Sequence, residues 1–292
     1  MRRMYAGNIS SQDDLEKKIE LRRKPKEPAH KIINFYEIIP KKYLNTPDNP
    51  NFNLHDIEIP FRMCVVAPSG SGKTNFVLNL IKIFSNGKGT FTDITIVTAN
   101  KDEPLYNWLE AQNDNIRIVE GISNNPKLDD YDKDYNHLLI WDDLMLSKNL
   151  EDVEKYYIRA RKKNVSLLFL AQSYSAIPTN IRKNSTYLVL FDLGGSKREQ
   201  DYIMREWASN LDRDELRAIY EDAVKEKMNP LIIKGGKVDK NKKYRKGFKE
   251  YYNLDEFLKN IERTLPKSKQ RVKRNKSLFK ELYLNQTKDK KE

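Results

Sequence analysis

Apolar residues in this chain gather in short unbroken runs instead of alternating with polar ones. Such runs fall at residues 63–66, 93–98, 116–119, 137–141, 165–171 and 186–191. Runs of this length, bounded by turn residues, read as strands buried on both faces. Segments with helical spacing lie between them, at 75–84, within 100–112 and at 150–163. This alternation predicts an α/β fold with a mostly parallel central sheet covered by helices. Residues 177–184 read as a short polar connection, and Gly194-Gly195 as the end of the central sheet. Beyond it the pattern predicts helices at 196–208, 212–225 and 254–265. A small strand pair, 231–233 with 249–252, is expected around a basic loop at 234–246. Together these form a small C-terminal α/β extension.

The N-terminal stretch reads differently. Residues 11–14 can cap a short helix at 15–23, which Pro25 and Pro28 end. Residues 31–56 mix apolar pairs with prolines and read as an extended arm. The expected organisation is an arm at 1–56, a core at 57–205, the C-terminal extension at 206–265 and a basic tail at 266–292.

Charge adds a partner class. The 292 residues carry 54 Lys and Arg against 42 Asp and Glu, a net charge of +12. A balance of that size suits a polyanion such as nucleic acid, or an anionic surface. From Lys267 onward, ten Lys/Arg face three Asp/Glu. The single cysteine, Cys64, excludes a disulfide framework and a cysteine zinc cluster, which suits a reducing compartment. No apolar run approaches a membrane span, so no membrane insertion is expected.

Candidate chemistry begins where the first strand ends. Ala67-Pro68-Ser69-Gly70-Ser71-Gly72-Lys73-Thr74 reads as a Walker A motif, with alanine in place of the usual first glycine. The backbone N–H groups of Pro68-to-Thr74 loop residues Ser69, Gly70, Ser71 and Gly72 can cradle the phosphates of ATP. Lys73 supplies a point charge to them, and the Thr74 hydroxyl can ligate Mg²⁺. The run at 137–141 leads into Asp142-Asp143, an apolar strand ending in paired carboxylates, as in Walker B. Asp142 is placed to hold Mg²⁺, and Asp143 to polarise the attacking water. The strand at 165–171 ends in Gln172, facing the crevice where ligands bind in open α/β sheets. There Gln172 can sense the terminal phosphate or orient water.

These features stand in order with Arg159-Ala160-Arg161-Lys162-Lys163-Asn164-Val165-Ser166 before Gln172 and Ile-Pro-x-x-Ile-Arg-x-Asn at 177–184 after it. Over residues 58–192 the run resembles the FtsK–HerA superfamily of P-loop ATPases, and within it the poxvirus-type genome-packaging ATPases of large DNA viruses and virophages. The resemblance implies a RecA-like (ASCE) fold and an ATP-driven motor that moves double-stranded DNA into a viral capsid. It also implies a homo-oligomeric ring, a pentamer or hexamer, working at a capsid vertex, in the cytoplasmic viral factory of an infected cell and in the virion. By position, Lys73, Asp143 and Gln172 become catalytic, and Thr74 and Asp142 hold the metal. Arg161 best matches the arginine that family rings supply from a neighbouring subunit, with Arg159 and Arg182 as rivals. Ala67, and Lys162 where relatives often have histidine, depart from the family pattern.

Three alternatives remain open at this point. One is a cellular or plasmid FtsK–HerA-type translocase. Another is a P-loop kinase for a nucleotide or small molecule, with 234–246 as its lid. The third is a DNA- or capsid-binding protein with a vestigial nucleotide site.

Overall fold

The computed structural model describes residues 33–40, 44, 47–144 and 150–264. The chain divides into two compact units, 1–45 and 46–292. In the first, Phe35–Glu37 form a single 3₁₀ turn whose Asn34 side chain accepts from the Tyr36 amide. The helix expected at 15–23 and the basic tail lie outside the described residues.

In the second unit, the described residues form one nine-stranded sheet. The strands are β1 (Arg62–Val66), β2 (Asp93–Thr98), β3 (Ile116–Glu120), β4 (His137–Asp142), β5 (Val165–Ala171), β6 (Tyr187–Leu190), β7 (Leu231–Lys234), β8 (Tyr244–Lys246) and β9 (Glu250–Tyr251). Their spatial order is β3-β2-β4-β5-β1-β6-β7-β8-β9. Strands β3 to β6 in that order pair parallel, and β7, β8 and β9 add antiparallel.

Besides one α-helical turn at Phe52–His55, the helices among the described residues are α1 (Lys73–Phe84), α2 (Pro104–Glu110), α3 (Leu150–Arg159), α4 (Thr179–Asn184), α5 (Lys197–Trp207), α6 (Arg213–Ala223) and α7 (Leu254–Thr264). They cover both faces of the central strands, which is why β1, β4, β5 and β6 are buried along nearly their whole length. Successive strand residues point to opposite faces. Met63, Val65, Leu138 and Ile140 pack with Phe76, Val77, Leu80, Ile81 and Phe84 of α1 and with Tyr106 and Leu109 of α2. Cys64, Val66, Leu139 and Trp141 pack on the other face with Tyr156 and Tyr157 of α3, Ile181 of α4, Met204 of α5 and Ile219 of α6. Each of the large side chains on α1 gains about 1.5–3 kcal/mol from such burial. That anchors α1, and with it the loop that precedes it.

Cys64 lies fully buried with its Sγ 3.0 Å from Ser185 Oγ, and burial pushes its thiol up to about 12. It is a packing residue without thiolate chemistry.

The C-terminal elements correct the pattern-based reading. Gly194-Gly195 does not end the central sheet, because β7 pairs with β6 through Leu190↔Leu231 and Tyr187↔Lys234. The C-terminal α/β extension therefore shares the sheet of the core. Strand β7 pairs with β8, which lies inside the expected basic loop, and β9 pairs only with β8. Residues 234–246 thus carry a sheet strand where the kinase alternative needed a lid. Tyr244 and Arg245, both buried, explain this: Arg245 donates to the carbonyls of His55 and Phe248 and lies over the Tyr251 ring. The polar stretch at 177–184 contains α4, whose Ile181 and Arg182 face inward. Finally, residues just before Ile57 already belong to the packed unit. Asn51 Nδ2 donates to the carbonyls of Phe84 and Asn86, closing the C-terminal end of α1, and His55 is fully buried.

Candidate active site

The parallel register aligns the C-terminal ends of β4, β5, β1 and β6. Val66 stands opposite Ala171 and Leu190, and Asp142 opposite Leu170. Whatever follows each strand therefore meets at one edge, the crevice of an open α/β sheet.

The phosphate loop leaves β1 there. Ala67 is fully buried, and its amide donates to the Ala171 carbonyl at 2.9 Å. Its φ is not positive, so alanine serves where the usual motif has glycine. Gly70 (φ 73°) and Gly72 (φ 104°) do adopt left-handed backbone. A Cβ on Gly72 would also meet Met228 Cγ at 3.0 Å. Ser71 closes the turn, its amide and hydroxyl both donating to the Pro68 carbonyl. Helix α1 starts at Lys73 with no side-chain cap on Gly72 and no acidic residue in its first turn. Its leading N–H groups and positive dipole end are thus left for an anion. Lys73 Nζ donates to the Ala67 carbonyl at 3.0 Å, which holds the ammonium at the mouth of the loop.

Asp142 closes β4 and is 8% exposed. Its Oδ2 accepts from the Tyr106 hydroxyl at 2.7 Å, while its Oδ1 is buried with no hydrogen-bond partner. Burial raises its pKa, against the lowering effects of the Tyr106 hydrogen bond and the Lys73 charge. An orphaned buried carboxylate oxygen, with Thr74 in the first turn of α1, is a donor set that suits a hard divalent cation. Among the described residues no group of three or more His, Cys, Asp or Glu could hold a metal by itself. A cation here would complete its shell with phosphate oxygens and water, as Mg²⁺ commonly does.

Asp143 turns out of the strand with φ 55°, a left-handed conformation that Asp tolerates better than most residues. The turn brings its Oδ1 within 2.9 Å of Gln172 Nε2, which donates to it. Both side chains are exposed toward the crevice edge. The structure thus joins the two residues that the sequence placed on separate strands. Ser173 and Tyr174, directly after Gln172, are tied to Glu199 of α5 through the Ser173 hydroxyl and the Tyr174 amide.

The arginines separate sharply. Arg161 lies in the 3₁₀ turn Ala160–Lys163 that precedes β5, exposed and without an ion pair among the described residues. It sits at the opposite end of the sheet from the phosphate loop, close enough to Arg62 at the start of β1 to help lower that residue's pKa, after burial. Arg159 is also exposed, at the end of α3. Arg182 is 9% exposed and fully engaged. It pairs with Glu206 at 2.7 Å, donates to Tyr202 and to the Ile177 carbonyl, and lies against the rings of Tyr174 and Tyr202. Arg182 is a structural arginine.

Tyr106 is the site residue that the sequence did not reveal. It is one of 16 tyrosines in the chain, and nothing in the string marks it as the partner of Asp142. Removing its hydroxyl leaves both carboxylate oxygens without a protein donor. Tyr106→Phe is expected to raise the Mg²⁺ concentration for half-maximal ATP turnover about tenfold, as loss of such an outer partner typically does. A Mg²⁺ titration of ATPase rate checks this, and an unchanged midpoint would show that Tyr106 only packs.

Fold and candidate site together point to a P-loop ATPase with an α/β core, a mostly parallel sheet flanked by helices. The chain belongs to the poxvirus A32 protein family, whose family model matches residues 51–246, more than half of its length. It is a viral DNA-packaging ATPase of that family. Solved structures with a similar chain course include the genome-packaging NTPase B204 of Sulfolobus turreted icosahedral virus 2 in complex with AMP. The two are 14% identical over 61% of this chain and 94% of that one, with a TM-score of 0.46. Another is EssC (ATPases 2 and 3) from Geobacillus thermodenitrificans, 11% identical over 70% of this chain and 43% of that one, with a TM-score of 0.45. No curated protein matches the chain in sequence.

Proposed function

We propose that the chain works as a Mg²⁺-dependent ring motor, driving double-stranded DNA into a viral capsid at a vertex, in the viral factory of the infected cell. The reading rests on one observation above all: the phosphate loop, the buried Asp142 and the Asp143–Gln172 pair converge on one sheet edge.

In this reading the loop amides and the first turn of α1 bind the triphosphate, and Lys73 neutralises its charge. Thr74 and Asp142 Oδ1 would hold Mg²⁺, whose chemistry is to draw charge from the transferring phosphoryl group. Asp143 takes the proton of the attacking water, and Gln172 fixes the carboxylate that does so. Arg161 cannot reach its own loop, since the length of β5 puts ~20 Å between them. It serves the loop of a neighbouring subunit, which makes hydrolysis depend on the ring. The excess of basic side chains binds duplex phosphates without sequence preference, so salt should weaken that binding steeply. No helix among the described residues is long and apolar enough to cross a membrane.

The test is ATP turnover with and without double-stranded DNA, measured alongside oligomer mass, with Lys73→Ala as the inactive baseline. DNA is expected to stimulate turnover only in fractions of ring mass. Phosphate transfer to a small acceptor, unaffected by DNA, would overturn the motor in favour of a kinase.

A further inference from the structure

The catalytic groups occupy only one side of β1. Asp142 ends β4 and Gln172 follows β5, whereas β6 flanks β1 on the other side. A triphosphate lying in loop 67–74 with its reacting end toward Asp143 and Gln172 must carry its nucleoside toward β6. The structure has a cleft there of roughly 380 Å³. Its walls are the phosphate loop, the end of β6 at Phe191 and Asp192, and the turn 224–229 between α6 and β7. That volume lies within the roughly 300–1,000 Å³ of small-molecule sites.

Met228 stands out on that turn. It holds a left-handed backbone (φ 64°), and it is 49% exposed. Its Cγ rests against Gly72, 3.0 Å from where a Cβ on that glycine would stand. Met228 belongs to neither core cluster. It is held, on backbone that methionine rarely adopts, against the phosphate loop and facing an open cleft.

We propose that turn 224–229 forms the nucleoside subsite, with Met228 packing its thioether against the face of the base. This gives the C-terminal strands a reason to share the core sheet: β7, paired to β6, fixes the turn beside the loop. The inference rests on the reading of 67–74 as a nucleotide site.

Titration calorimetry of ADP and of inorganic pyrophosphate into the full chain, with Mg²⁺, tests it. Met228→Ala is expected to weaken ADP about tenfold while pyrophosphate binding stays unchanged. Met228→Leu, which keeps the apolar bulk, should recover most of the loss. Unchanged ADP affinity in Met228→Ala, or a parallel fall for both ligands, would overturn the subsite. So would wild-type protein that binds pyrophosphate as tightly as ADP, and that result would leave the phosphate loop in its role. Wild-type protein that binds neither would remove both readings.

Discussion

Arg161→Ala is expected to lower DNA-stimulated ATP turnover by about 10³-fold or more, the range for removal of an arginine supplied to a transferring phosphoryl group. ATP binding to the variant should survive, because Arg161 stands at the far end of β5 from its own phosphate loop. The distinctive result comes from mixing. In a ring built on head-to-tail contacts, each site is made by one subunit's loop and the next subunit's arginine. Arg161→Ala subunits keep intact loops, and Asp143→Asn subunits keep intact arginines. Mixed in equal amounts they form complete sites at about a quarter of the interfaces, so turnover should recover to that fraction. Each variant alone should be nearly inactive. Absence of recovery, with recovery by Arg159→Ala in its place, would move the role to Arg159. Arg182 is not a contender, since its guanidinium is buried against Glu206, Tyr202 and Tyr174.

Asp143→Asn should bind ATP about as well as the wild type while hydrolysis falls by about 10²- to 10⁴-fold, the usual contribution of a positioned base. The substitution is unusually clean. Asparagine retains an oxygen that can accept from Gln172 Nε2, it tolerates the left-handed backbone at this position, and the side chain is exposed. Geometry is kept, and the negative charge proposed to accept the proton is lost. Single-turnover hydrolysis measured beside equilibrium nucleotide binding separates the two effects. Near-normal turnover would take Asp143 out of the chemistry and leave Gln172 to orient water alone.

The sequence by itself determined the parallel part of the sheet and most of the candidate site. Strands buried on both faces must be apolar throughout, so β1, β2, β4 and β5 announce themselves as unbroken runs. The phosphate loop was legible because its chemistry needs glycines at fixed offsets and a lysine and hydroxyl at the start of a helix. Asp142, Asp143 and Gln172 were legible as polar residues at the ends of such runs.

Only the tertiary structure decided what depends on neighbours remote in the chain. Strands β7 to β9 are only two to four residues long, and their membership in the main sheet follows from the pairing of β7 with β6, which no local pattern encodes. The Asp143–Gln172 hydrogen bond depends on the β4–β5 register and on one left-handed residue. Tyr106 reaches Asp142 because α2 packs against β3 and Tyr106 shares a buried cluster with Leu138 and Ile140 of β4. Arg161 and Arg182 look alike as letters in a basic stretch. Packing buries Arg182 against a carboxylate and leaves Arg161 exposed at the far end of the sheet.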